Sequence, residues 1–238
     1  MRLYFIRHGQ SENNLLWDET GTNRGRSEDP ELTPAGHEQA KRMAAYIQQK
    51  DAEAYANGAG KNHGPFSFTH LYTSLMVRSV ATGSYLSKAI GLPLVGWQEI
   101  HECGGIFLED ETGVHKGLPG KTRAYFMEKY GHLVLPETCT DEGWWNRPFE
   151  AHDDRPLRAQ QVLSSLLERH GGTKDRVAII SHGGFYMELI RVMFQLGNAN
   201  SWFLMNNTGI SRFDFHESGE ITLVFHNRTE HLTPDLIT

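Results

Sequence analysis

The sequence predicts an α/β fold, a three-layer α/β/α sandwich around a mostly parallel central sheet. Three observations predict it. Short apolar runs alternate with longer segments of helical period, the pattern of successive strand–helix units. Two of those runs, RLYFI at 2–6 and RVAIIS at 176–181, are compact and apolar at consecutive positions, as buried strands are. Both give out in a His-Gly step, RHG at 7–9 and SHGG at 181–184. In open α/β sheets, ligands collect at the carboxyl ends of the strands. If the two strands are parallel neighbours, their imidazoles share one edge.

The elements follow in order. After RLYFI, residues 9–31 are polar and read as a loop. LTPAGHEQAKRMAAYIQQK at 32–50 reads as a helix: Thr33 can cap it, Pro34 suits its first position, and Ala40, Met43, Ala44 and Ile47 fall at helical spacing. The Gly- and Asn-rich stretch at 54–65 reads as a surface loop. FTHLYTS at 68–74 is the second strand. It leads into a helix over 75–89, with Ser74 as its cap, that stops at Gly91 and Pro93. PLVGWQEI at 93–100 is the third strand, with Glu99 and Glu102 at its end. Residues 106–155 are irregular, charged and aromatic, an excursion over one face. A helix over 156–170 leads into RVAIIS, and FYMELIRVMFQL at 185–196 follows as a helix apolar nearly all round. ISRFDF and ITLVFH, joined by HESGE, form a closing hairpin.

Length and composition bound the rest. At 238 residues, 39% hydrophobic and 22% charged, the chain fits a single domain over 1–238 with an inserted, cap-like region at about 106–155. A net charge of -6 argues against a general nucleic-acid binder. No apolar run approaches the ~20 residues a bilayer span needs, and no signal-peptide pattern opens the chain, so no membrane partner and a cytoplasmic location are expected. Cys103 and Cys139 are too few for a disulfide framework and read as reduced thiols.

The two His turns carry the chemistry. Arg7 offers a fixed, fork-shaped cation for a tetrahedral oxyanion, and Gly9 keeps the approach to His8 clear of a side chain. An imidazole with one nitrogen held by a carbonyl exposes the other as a nucleophile. At the second turn, Gly183 and Gly184 open a helix whose free amides favour an anion beside His182. Together these groups would make a phosphoryl site. No H-E-x-x-H or paired His/Cys spacing is present, so neither a metal nor another cofactor is expected.

RHGQSENN resembles the first signature of the histidine phosphatase superfamily, the phosphoglycerate mutase-like enzymes. EDPELTPAGHEQA, LYTSLMVRSVATG, IHECGG and SHGG resemble that family's further segments, in the family's order. The resemblance implies a phosphoglycerate mutase-like fold and a phosphohydrolase that works without metal through a phosphohistidine. It makes His8 the nucleophile, His182 the second pocket histidine, and Arg7, Arg78, Asn14 and Gly183 the phosphate-binding groups. Glu102 becomes the general acid, with Glu99 one turn away as the competing carboxylate.

The mutases of the family carry a Glu-Arg-His-Tyr-Gly segment where this chain reads ECGG, so hydrolysis leads and phosphoglycerate mutase-type transfer is the alternative. A phosphate-binding scaffold without catalysis and a metallohydrolase are more distant readings. The expected partner is a small phosphorylated substrate or a phosphoprotein. Its leaving group would meet walls built from residues 15–31 and 106–155, whereas Trp144, Trp145, Phe149 and Tyr125 read as a small core of the insertion. Arg24 and Arg26 read as solvated loop residues.

Overall fold

A computed structural model describes residues 1–58, 64–197 and 200–238. The chain runs β1 (Arg2–Arg7), α1 (Glu12–Thr20), α2 (Pro34–Ala56), β2 (His70–Thr73), α3 (Val77–Ile90), β3 (Leu94–Gly96), β4 (Phe107–Glu109), β5 (His115–Gly117), α4 (Arg123–Lys129), β6 (Leu133–Val134), α5 (Asp154–His170), β7 (Arg176–Ser181), α6 (Gly183–Phe194), β8 (Ile210–Phe215) and β9 (Ile221–Arg228). The main sheet has the order β6-β3-β2-β7-β1-β8-β9. Its first five strands are parallel, and the β8–β9 hairpin closes it antiparallel.

The unbroken apolar character of β1 and β7 has a direct cause. Tyr4, Ile6, Ala178 and Ile180 face a core shared with α2 and α3. Leu3, Phe5, Val177 and Ile179 face a second core shared with α5 and α6. Both faces are dry, so neither strand alternates. That is the three-layer α/β/α sandwich, with the mostly parallel sheet at its centre.

The structure departs from expectation in five places. The polar stretch at 9–31 contains α1, none of whose residues is buried, so no apolar stripe announces it. Its helical signal lies at the N-terminus, where Ser11 and Asn14 form a reciprocal capping box. The 93–100 strand keeps only Leu94–Gly96, and Gln98–Ile100 turns as a 3₁₀ segment. Ser74 does not cap α3; Met76 holds the N-cap position, and Ser74 is committed elsewhere. The 106–155 region does not build a core of its own. β6 extends the parallel sheet beside β3, and Phe126, Trp144 and Trp145 join the α2/α3 core. Of the expected 54–65 loop, residues 54–56 end α2 and 59–63 lie outside the described residues. Among the described residues no helix is long and apolar enough to cross a membrane.

Candidate active site

β1 and β7 pair in parallel with Arg7 opposite Ser181, so the next residue on each strand is a histidine. The register alone brings His8 and His182 together, with ring centroids 5.0 Å apart. Both rings are almost wholly buried. Burial, with Arg78 and Arg7 alongside, holds His8 well below the ordinary imidazole range, and burial with Arg78 nearby does the same to His182. Both imidazoles are therefore neutral at pH 7.

Each ring is fixed by a different nitrogen. His8 Nδ1 lies 2.7 Å from the Gly9 carbonyl and must donate to it, which leaves Nε2 with a free lone pair. Arg78 Nε donates to that lone pair at 3.1 Å. His182 is held through Nε2, 2.9 Å from Ser74 Oγ and 3.3 Å from Ser79 Oγ, and its buried Nδ1 has no partner. Ser74 Oγ also accepts from the Met76 amide, which leaves its one hydrogen free for Nε2. Sequence reasoning gave Ser74 a capping task; it holds the His182 ring.

Arg78 is itself braced. Its Nη1 lies 3.8 Å from Asp29 Oδ1, which also accepts from the Val77 amide at the start of α3. Burial pushes the Asp29 carboxyl up to about 7 against the opposing pull of Arg78 and that amide. Asp29 stands in the quoted EDPELTP segment, yet nothing in its spacing marks it as Arg78's partner.

Glu102 and Glu99 are separated cleanly. Glu99 pairs with Arg147 at the surface, 2.8 Å away, and does not line the site. Glu102 lines it, and its carboxylate accepts from the amides of Cys103 (2.8 Å), Gly184 (3.2 Å) and Phe185 (3.0 Å). A Cβ on Gly184 would run into Glu102 Oε1, which accounts for the second glycine of SHGG. The segment before Glu102 is tied to α5, because Arg158 donates to the carbonyls of Glu99 (2.8 Å) and His101 (3.0 Å) and pairs with buried Glu150. Glu150 in turn accepts from the Gly104 amide.

Gly9 has a different task from the one expected. Its missing side chain admits the backbone of Gly36, at the start of α2. Asn14 lines the site, but its Oδ1 accepts from the Ser11 amide and from Asn207 Nδ2. Its amide nitrogen is the group left to a ligand. Asn207 also donates to the His8 carbonyl at 2.9 Å, and buried Gln39 links the Gln10 amide to Thr238. Neither polar anchor has a sequence signature, because each pairs across more than 20 residues.

One cavity of about 820 Å³ opens onto this site. Of the expected site residues, Arg7, His8, Asn14, Arg78, Glu102 and Gly183 line it, whereas His182 packs beside His8 without lining it. The outer wall differs from expectation. Residues 15–31 contribute Trp17, Asp18, Asn23 and Arg26, but of 106–155 only His152 and Arg155 line the cavity. Trp144, Trp145, Phe149 and Tyr125 stand outside it, and Trp202, Leu204 and Asn206 line it instead. Arg26 is no solvated loop residue: it lies over the Phe107 ring at 4.3 Å. Five arginines face three carboxylates in this cavity, within a chain of net charge -6.

A profile of the histidine phosphatase superfamily (branch 1) matches residues 3–229. The chain belongs to the histidine phosphatase superfamily. Among members of the superfamily, a Hydrogenobacter thermophilus protein named for phosphoserine phosphatase activity is 26% identical over 97% of both chains. A 2,3-bisphosphoglycerate-dependent phosphoglycerate mutase of Lactobacillus acidophilus is 30% identical over 74% of this chain and 68% of its own. The fold is that of the Entamoeba histolytica phosphoserine phosphatase crystallised with 3-phosphoglyceric acid, with a TM-score of 0.59 at 20% identity over 98% of this chain and 99% of that one.

Proposed function

We propose that this histidine phosphatase hydrolyses small phosphomonoesters in two steps through a phosphohistidine on His8. One observation carries the reading: a buried, neutral His8 whose Nδ1 is fixed by the Gly9 carbonyl and whose Nε2 lone pair opens under Arg78. In the first step Nε2 forms a bond to phosphorus while the ester P–O bond breaks, and the Glu102 carboxyl gives the departing oxygen its proton. In the second, water forms the new P–O bond, the N–P bond breaks, and the water proton passes to Glu102. The Nδ1–H bond to Gly9 supports the charge that the phosphoimidazole carries.

Arg7, Arg78, Asn14, the Gly183 amide and His182 Nδ1–H serve as donors to the phosphoryl oxygens, where most of the catalytic benefit of phosphoryl transfer lies. Arg78 exchanges its bond to Nε2 for one to the incoming oxygen. No cofactor enters this scheme.

The rest of the cavity suits a small organic leaving group better than a protein chain. Arg26 and Arg155 line it, and among the described residues neither has an ion-pair partner; the buried Nε of each has no hydrogen-bond partner either. Trp17 and Trp202 add exposed indole surface at the same wall. An alcohol that bears its own anionic group matches those cations. We read residues 1–238 as one domain with 106–155 as its insertion, and the two free thiols suit a reducing cytoplasm.

A panel of phosphomonoesters tests the reading, with a generic aryl phosphate as reference. The His8→Ala variant should release no phosphate from any of them. Undiminished turnover in that variant would sink the covalent route. The mutase alternative rests on the Lactobacillus relative; isomerisation of a phosphoglycerate faster than release of inorganic phosphate would establish it over hydrolysis.

A further inference from the structure

We propose that His70, His170 and Asp175 form a binding site for a divalent transition-metal ion of the zinc class, at the edge of the sheet opposite the active site. One ligand atom from each residue lies within 4.8 Å of the other two. His170 Nδ1 is 2.9 Å from Asp175 Oδ2, and His70 Nδ1 is 3.9 Å from the same oxygen. Ligand atoms each ~2.1 Å from a tetrahedral zinc stand about 3.4 Å apart, so these separations bracket what an ion would impose. Two imidazoles and one carboxylate suit zinc, cobalt, nickel or copper; magnesium and calcium prefer all-oxygen sites.

The three residues are held in place from outside. His170 ends α5 and is buried, with Nε2 3.2 Å from the Tyr72 hydroxyl. A ligating histidine usually anchors its second nitrogen in this way. On metal binding the His170 proton moves from Nδ1 to Nε2, where the Tyr72 oxygen accepts it. Thr173 closes the turn between His170 and Asp175: its hydroxyl donates to the His170 carbonyl at 2.7 Å and accepts from the Asp175 amide at 3.0 Å. Gly172, at φ +69°, gives that turn its left-handed step. His70 and Asp175 are partly exposed, which leaves room for water as a fourth ligand.

The position decides the role. His70 opens β2, and Asp175 immediately precedes β7, whereas His182 immediately follows β7. Six residues of strand separate the two ends, about 20 Å. An ion here ties α5 to the start of two central strands and leaves the chemistry at the other edge alone. The usual spacings miss the site, because His70 lies 100 residues from His170 in the chain.

Metal-stripped protein should be titrated with Co(II) and then Zn(II), with Mg(II) as control. The wild type should bind one equivalent of Co(II) with a visible tetrahedral spectrum, and saturating Zn(II) should raise its Tm. His70→Ala and Asp175→Asn should each weaken binding at least ~10-fold and abolish the Tm rise, with hydrolysis of an aryl phosphate unchanged. Tyr72→Phe keeps all three ligands and should weaken binding without abolishing it. Equal affinity in wild type and His70→Ala, or no binding at ~100 μM ion, would overturn the proposal. So would loss of binding in His8→Ala alone, which would place the ion among the catalytic histidines.

Discussion

The turns at His8 and His182 begin alike and end differently. Both close a buried parallel strand, both are followed by glycine, and the strand register sets them side by side. Yet His8 offers Nε2 and His182 offers Nδ1. The first is fixed by its own neighbour's carbonyl, the second by two serines more than 100 residues away. Their glycines diverge as well. Gly9 admits the backbone of Gly36, whereas Gly184 makes room for the Glu102 carboxylate on the first turn of α6. Local sequence makes a histidine available at a strand end; its partners decide whether it attacks or donates.

Breaking the symmetry at its nucleophile should have the largest effect. His8→Ala should lower kcat by at least ~10⁴, measured as phosphate release from an aryl ester, because no other group takes the phosphoryl. His182→Ala removes one donor and leaves the nucleophile, so the loss should be ~10²–10³, with phosphoenzyme still trapped on rapid quench. If the two variants lose equally and neither traps phosphoenzyme, the assigned division of labour is wrong.

Gly184→Ala tests the second turn from the other side. The new methyl must push Glu102 off the α6 amides, and a displacement of that kind costs about 10²-fold in kcat. Gly183→Ala meets nothing closer than Arg7 at 3.7 Å and should fold normally with a smaller loss. Ser74→Ala releases the His182 ring on its Nε2 side while removing no side chain that lines the cavity. The expected cost is ~3–10-fold in kcat, partly recovered in Ser74→Thr. A full loss would give Ser74 a direct part in the chemistry.

The smallest effect concerns the brace behind Arg78. With its pKa raised to about 7, folded Asp29 keeps a proton that the unfolded chain sheds near 4. Its stabilising contribution is complete below about pH 4 and is lost as pH rises through about 7. The buried histidines act in the opposite sense: their folded values are depressed, so their contribution is present above about 6.5 and is lost as pH falls. Asp29→Asn removes only the first slope. Its Tm relative to wild type should therefore be higher at about pH 8 than at about pH 5; an equal difference at the two pH values would mean that Asp29 ionises as an ordinary surface carboxylate.

Much of this was legible in the chain. The two strand–His–Gly turns, the choice of Glu102 over Glu99 and the ordered segments around Arg78 led to groups gathered at one cavity, all but His182 in its lining. The misreadings share a cause. α1 buries nothing, so periodicity could not reveal it, and Trp144 and Trp145 join the main core because β6 docks their segment against β3. Arg26 reads as a loop residue until Phe107, 81 positions later, lies beneath it.

By itself the sequence determined which side chains stand at strand ends, because an apolar run of only five or six residues closed by a His-Gly step is too short for a buried helix and reads as a strand covered on both faces, and where it stops the chain meets solvent and ligand. The partners of those side chains were decided by tertiary structure alone. Asp29 behind Arg78, Ser74 against His182, and Arg158 beneath the Glu102 segment are pairings across tens of residues, set by which strands neighbour one another. A hydrogen bond depends on distances of a few tenths of an ångström, and no spacing along the chain encodes those.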